Sequence, residues 1–195
     1  MNRVVDIAVA GIGLVISAPV CAVIAVLIKF TSDGPVLFRQ ERVGLRGHTF
    51  TIHKFRTMRT EHQGPAVSST SDPRITPIGA ILRQSKLDEL PQLWDVVRGE
   101  MSLVGPRPEV PEYVKQWPDD LRPLILSVRP GITDPASIHY RNEAAELEIA
   151  DDPASHYIKV ILPRKAKMYA EYVEHRSMSG DIKIILQTIR TVVAS

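Results

Sequence analysis

An apolar run from Val4 to Phe30 limits this chain more than any other stretch: across 27 residues only Asp6, Ser17 and Lys29 break it. As a helix it would be roughly 40 Å long, enough to cross a bilayer whose hydrocarbon core is about 30 Å. A cleaved signal peptide fits poorly, because the apolar run is too long and continues straight into domain sequence. Pro19 lies near its middle. There it removes a backbone hydrogen bond and clashes with the preceding turn, so a sharp bend is expected. Two topologies fit: a kinked spanning helix, or a helix that enters the membrane, turns at Pro19 and leaves by the same face. Hydropathy alone favours spanning.

The remaining residues suffice for one domain with a real core. Hydrophobic content of 44% and charged content of 24% are ordinary for a globular protein and argue against wholesale disorder. A net charge of +2 gives no case for a nucleic-acid partner. Its distribution says more: Lys29 to Arg59 holds seven basic residues against Asp33 and Glu41, a local +5. Such a stretch directly after an apolar run suits an anionic membrane surface or a phosphate-bearing substrate. Cys21 is the single cysteine, so there is no disulfide framework and a reducing compartment is expected. The histidines show no paired spacing for a structural metal.

Asp33-Gly34-Pro35 is a turn signal, followed by Val36 to Phe38 as a short strand. Thr49 to Arg56 alternates polar and apolar residues, and the two segments read as a β-hairpin carrying Lys54 and Arg56. Glu61 to Thr76 lacks periodicity and reads as a surface loop, either a linker or a lid. Pro77 to Gln84 carries a helical stripe. Further on, short helices fit Pro111 to Trp117 and Leu121 to Val128, Arg129 to Thr133 reads as a turn, and Ala136 to Tyr140 reads as a strand. Glu143, Glu146, Glu148, Asp151 and Asp152 read as a solvated acidic patch. His156 to His175 reads as a helix, broken or bent at Pro163. The last helix, Asp181 to Val193, places Ile182, Ile185, Leu186, Ile189, Val192 and Val193 on one face, to pack on the core or lie in a membrane interface.

The chemistry concentrates between Leu82 and Pro108. Asp88 and Glu89 are adjacent, with Arg83 and Lys86 upstream and Arg107 downstream within Gly105-Pro106-Arg107-Pro108. Leu90, Leu93, Trp94 and Val97 recur at helical spacing and suggest one buried face. Pro91 is tolerated only in a first turn, which puts the acids at a helix N-terminus, where an anion is favoured. Asp88 reads equally as a plain N-cap and Glu89 as a first-turn acid. Adjacent carboxylates diverge on a helix, so Asp88 and Glu89 would not act on the same atom.

Four segments occur here in order: Asp33-Gly34-Pro35-Val36 with Phe38-Arg39-Gln40, Lys54-Phe55-Arg56-Thr57-Met58, Leu87-Asp88-Glu89-Leu90-Pro91-Gln92-Leu93, and Ser102-Leu103-Val104-Gly105-Pro106-Arg107-Pro108. This set resembles the bacterial sugar transferases known as small monotopic phosphoglycosyl transferases, over nearly the whole chain. The resemblance implies transfer of sugar-1-phosphate from a UDP-sugar to undecaprenyl phosphate with release of UMP, the first membrane step of glycoconjugate assembly. It implies Asp88 as nucleophile and Mg²⁺ ligand, Mg²⁺ as cofactor, Glu89 as the second acid of the dyad, and Lys54, Arg83 and Arg107 as substrate-binding residues.

The same resemblance implies an α+β, mostly helical fold. A re-entrant membrane helix over residues 1–30 would join a catalytic domain over 31–195, with a small β-hairpin and amphipathic interfacial helices around the Asp-Glu site. The protein would be monotopic at the cytoplasmic face of the bacterial inner membrane. In the family the N-terminal helix breaks at a Ser-Pro pair. Here Ser17-Ala18-Pro19 keeps the proline but moves the serine one residue back, which leaves a serine-specific role at the bend without a match. Two other readings carry distinct outcomes: a membrane-associated phosphohydrolase would yield free sugar phosphate, and a non-catalytic scaffold would tolerate loss of Asp88. Neither the sugar nor the oligomeric state is written in the residues.

Overall fold

The computed structural model describes residues 2–59 and 72–193, with side chains described through residue 191. The apolar run forms one helix, α1 (Arg3–Thr31), continuous through Pro19, so the proline does not interrupt it. The Ser17 hydroxyl donates to the Leu14 carbonyl, one residue short of Val15, whose carbonyl loses its partner to Pro19. Most of α1 is solvent-exposed, and the residues that are covered lie in two places. Asp6 and Ala10 are buried near one end, Ile24 and Ile28 near the other.

Both ends of α1 hold the same body. Arg3 donates to the carbonyls of Val96 at 2.5 Å, Val97 at 3.2 Å and Met101 at 3.2 Å. It thereby satisfies carbonyls freed at the end of α3 (Gln92–Arg98). The Asp6 carboxylate is buried and accepts the Leu103 backbone N–H at 3.2 Å. At the other end Ile24 and Ile28 pack with Phe55, Leu82, Leu87 and Leu90. Arg56, buried, donates to the Ser32 carbonyl and hydroxyl, both at 2.8 Å. Its place is the end of α1.

The hairpin is longer than its strand signals suggested. Strands β1 (Leu37–Val43) and β2 (Thr49–Phe55) pair antiparallel, with Phe38 opposite Lys54. α2 (Pro77–Gln84) starts with Pro77 in its first turn under a Thr76 cap. Gly79 sits so close to the Thr57 backbone that a Cβ would lie 2.1 Å from its carbonyl oxygen. The loop expected over Glu61 to Thr76 falls mainly outside the described residues.

β3 (Ser102–Val104) and β4 (Gly131–Thr133) form a second, parallel pair. β4 lies where a turn was expected, because the partner strand is remote in sequence. Short helices α4 (Pro111–Val114) and α5 (Arg122–Ile125) follow the proline punctuation. The expected strand over Ala136 to Tyr140 is a helix, α6 (Pro135–His139): Asp134 caps the Ser137 N–H and Pro135 occupies the first turn. α7 (Glu143–Glu148) and α8 (Pro153–His156) lead through a single π-turn, Tyr157–Ile161, into α9 (Leu162–His175), with Pro163 in its first turn.

α9 carries Leu162, Ala166, Tyr169 and Ala170 into a core with Trp117, Ile125 and Leu147. α10 (Met178–Val193) splits its apolar residues. Ile184 and Ile185 face the core around Tyr172 and Val173, whereas Met178, Ile182, Leu186 and Ile189 are exposed. Val192 and Val193, expected on the same apolar face, lie outside the described side chains.

Candidate active site

Asp88 and Glu89 sit in a 3₁₀ turn, Leu87–Glu89, immediately ahead of α3, with Pro91 at the α3 N-cap. Asp88 is therefore not the cap. Lys86 enters the turn in the left-handed conformation, φ 57°, and reverses the chain out of α2. Leu87 and Leu90 then seat in the apolar cluster with Ile24 and Ile28 of α1, so both acids turn inward and are buried. The face of α3 that packs inward carries Gln92, Asp95 and Val96, whereas Trp94, expected within the buried stripe, is 51% exposed.

Two structural pins bring the cations to the acids. Asp95, fully buried, accepts the His53 backbone N–H at 2.9 Å and pairs with His53 Nδ1 at 2.7 Å. It ties α3 to β2 and sets Lys54 opposite Glu89. Burial raises the Asp95 pKa, against the His53 hydrogen bonds. Arg107 is held from both sides. Upstream, Gly105 N–H donates to the Thr133 carbonyl and Gly131 N–H to the Pro106 carbonyl. Downstream, Val43 N–H donates to the Glu109 carbonyl, and Arg42 donates to the Pro108 carbonyl at 3.2 Å. The Glu109 carboxylate, also buried, accepts from the Tyr157 hydroxyl at 2.7 Å.

Glu89 collects both cations on a single oxygen: Lys54 Nζ lies 2.8 Å and Arg107 Nη2 2.5 Å from Oε1. Burial alone would raise the Glu89 pKa, but Arg107 and Lys54 override it and hold the carboxyl well below the usual range. Lys54 is pulled down to about 8, chiefly by burial and then by Arg107, against the pull of Glu89. Arg107 is raised by Glu89.

Asp88 differs from its neighbour in kind. Its Oδ1 is buried without a hydrogen-bond partner among the described residues. Burial, then the Glu89 charge, raise its pKa. Arg83 donates to the Thr57 hydroxyl at 3.1 Å and the Met58 sulfur at 3.4 Å. Burial lowers the Arg83 pKa while Asp88 acts to raise it. Lys54 and Arg107, remote in sequence, and the nearby Arg83 thus act on one acid pair.

Several residues at or near this centre were not singled out from the sequence. Asp95 and Glu109 look like surface acids in a local pattern, because their partners lie on other elements. Asp134, fully buried, is near enough to Arg107 to act on its charge, as is the buried Tyr169, whose hydroxyl has no hydrogen-bond partner. Glu143 was read as part of a solvated patch, yet it pairs with buried Lys165. Among the described residues no cluster of three or more His, Cys, Asp or Glu side chains forms a cage for a metal. The partnerless Asp88 oxygen does fit a hard divalent ion that takes one carboxylate and fills its remaining positions with phosphate oxygens and water.

The sequence profile of the bacterial sugar transferase family matches residues 1–195. Similarity extends to the UDP-glucose:undecaprenyl-phosphate glucose-1-phosphate transferase of Escherichia coli (strain K12), 35% identical over 97% of this chain and 39% of that protein. The protein of the same name from Caulobacter vibrioides is 34% identical over all of this chain and 70% of its own length. The UDP-N-acetylgalactosamine-undecaprenyl-phosphate N-acetylgalactosaminephosphotransferase of Aeromonas hydrophila is 35% identical over 98% of this chain and 43% of its length. The chain spans less than half the length of the E. coli and Aeromonas proteins.

Proposed function

Since the chain belongs to the bacterial sugar transferase family, we propose that it transfers sugar-1-phosphate from a UDP-sugar to undecaprenyl phosphate, releasing UMP through a covalent aspartyl intermediate. The observation that carries this reading is the division of labour between the two acids. Glu89 is neutralised by Lys54 and Arg107, and Asp88 keeps a bare oxygen beside them.

In the first step an Asp88 oxygen attacks the β-phosphorus of the UDP-sugar. The bond from that phosphorus to the bridging oxygen breaks, and UMP leaves with the electron pair. In the second step a phosphate oxygen of the lipid attacks the same phosphorus, the Asp88 bond breaks, and a lipid diphosphosugar is released. Such transfers depend mainly on positioning and charge neutralisation. Lys54 and Arg107 fit that work: a mobile point charge beside a planar fork for two phosphate oxygens. Glu89, held ionised by two cations, is better suited to positioning them than to accepting a proton. Arg83, on the Asp88 side, is placed for the lipid phosphate or the sugar phosphate. Mg²⁺ held by Asp88 would supply further charge neutralisation of the diphosphate.

The acceptor's route is supported by Leu87 and Leu90, which flank the acids and pack in the apolar cluster that holds Ile24 and Ile28 of α1. A monotopic, cytoplasmic-face placement is supported by the same helix. Its two ends grip one domain, and a helix crossing the bilayer would carry Arg3 and Asp6 to the opposite side from their partners.

The test is incubation of purified protein with labelled UDP-glucose or UDP-N-acetylgalactosamine without acceptor. Label should remain on the wild-type chain with UMP released, and be absent from Asp88→Asn, which keeps the shape of the side chain. Labelling of the Asn variant would remove Asp88 from this role, and free sugar phosphate as the main product would make the protein a hydrolase.

A further inference from the structure

A second concentration of cations lies away from the acid pair. Arg3 of α1, Arg46 of the β1–β2 turn, Arg129 ahead of β4 and Arg176 between α9 and α10 line one cavity of about 250 Å³. None of Lys54, Asp88, Glu89 or Arg107 lines it. Four arginines drawn from four parts of the chain line it with a single carboxylate, Asp6, which is engaged with the Leu103 N–H. Tyr172, also in the wall, donates its hydroxyl to buried Asp181. Arg3 spends donors on the carbonyls at the end of α3, and Arg129 donates its Nε to the Gly99 carbonyl at 2.8 Å. Arg46 and Arg176 are exposed, and neither makes a side-chain hydrogen bond or ion pair within the described residues. Two whole guanidinium forks are therefore left to an outside anion.

The setting identifies that anion's class. Two of the cavity's lining residues stand beside helix starts that expose apolar side chains: Arg3 is followed by Val4 and Ile7 on α1, and Arg176 by Met178 and Ile182 on α10. A group seated among the arginines would have exposed apolar residues of both helices close by in sequence to Arg3 and Arg176. Guanidinium forks match the tetrahedral oxygens of phosphate.

We propose that this arginine-lined cavity binds a phosphate-bearing anion, the headgroup phosphate of an anionic lipid, as a docking site separate from the reacting centre. The proposal rests on the membrane-surface reading of α1. Flotation with neutral phosphatidylcholine vesicles tests that reading independently, and failure of the wild-type chain to float would overturn both.

The direct test is native mass spectrometry of the full chain released from detergent micelles doped with phosphatidylglycerol. Wild type should retain one phosphatidylglycerol per chain. Arg46→Gln with Arg176→Gln should reduce the lipid-bound fraction about fivefold or more, the scale for a basic residue at a lipid surface. A control that removes equal charge elsewhere, Lys159→Gln with Lys167→Gln on exposed positions, should leave that fraction within twofold. Thermal melting by circular dichroism in detergent should be unchanged in the arginine variant, and each single variant serves if the double one melts early. Equal retention by the arginine variant and wild type would overturn the proposal. So would an equal loss in the lysine control, which would reduce the effect to net charge. A soluble arm uses glycerol phosphate: retention of it as strong as that of the intact lipid would assign the cavity to a free phosphate ester and overturn the lipid.

Discussion

At the scale of single residues, the centre is governed by which acid receives the cations. Glu89 takes both Lys54 and Arg107 on one oxygen, and Asp88 takes neither. Lys54 then has two opposed consequences with pH. Its folded pKa is depressed to about 8 from 10.5, so between those values the unfolded chain binds the extra proton and the folded one does not. Stability should therefore rise with pH across that window, since the burden of a buried charge is present in full below about 8 and gone above 10.5. Substrate capture should move the other way. kcat/KM reports the free enzyme, and on the proposed role of Lys54 at the diphosphate it should fall as pH rises through about 8, where the ammonium is lost. Lys54→Arg, charged throughout, should carry the plateau to higher pH. A kcat/KM profile that declines at the same pH in both proteins would take Lys54 out of substrate capture.

At the scale of elements, the position of Arg107 depends on a close approach between two chain segments that are far apart in sequence. A Cβ on Gly131 would lie 2.1 Å from the Gly105 nitrogen, so β3 and β4 can sit together only while that position has no side chain. Gly131→Ala is expected to destabilise by about 2–3 kcal/mol, the cost of forcing extra atoms into a packed contact. It should also depress kcat/KM, because the displaced segment carries Arg107. Chemical denaturation and steady-state kinetics check the two effects. Gly47→Ala is the control, since a Cβ there meets nothing within 4 Å; its positive φ leaves a backbone penalty of about 1 kcal/mol and no path to the site.

Across the whole molecule the question is how α1 meets the membrane. Its 29 residues make about 43 Å of helix, longer than the hydrocarbon core, and length alone would let it span. Arg3 and Asp6 oppose that, because both are bonded to the domain that also holds the far end through Arg56 and Ser32. A cysteine at Asn2, in a Cys21→Ala background, should resist an impermeant thiol reagent in intact cells. Combining Pro19→Ala, which removes a helix penalty of about 3 kcal/mol, with Arg3→Ala and Asp6→Ala should expose it. Labelling of the otherwise unaltered N-terminus would mean that the helix spans.

Local rules carried far in this chain because they act within a few residues. A turn signal marked the start of β1, alternation marked β2, Pro77 with a helical stripe marked α2, and the apolar run marked α1. Where a local rule was misjudged, as at Ala136 to Tyr140, the cap at Asp134 and Pro135 outweighed the strand signal. Sequence drew Lys54, Arg83, Asp88, Glu89 and Arg107 together only through motifs that resemble a known family. It could not say how they pair. Lys54 and Glu89 are 35 positions apart and Arg107 and Glu89 are 18 apart, so only chain closure decides that both cations settle on one oxygen. The same holds for Asp95 on His53, Glu143 on Lys165 and the four arginines of the second cavity. A charge reads as solvated until folding removes its water and supplies a partner, and that partner is set by the packing of distant elements.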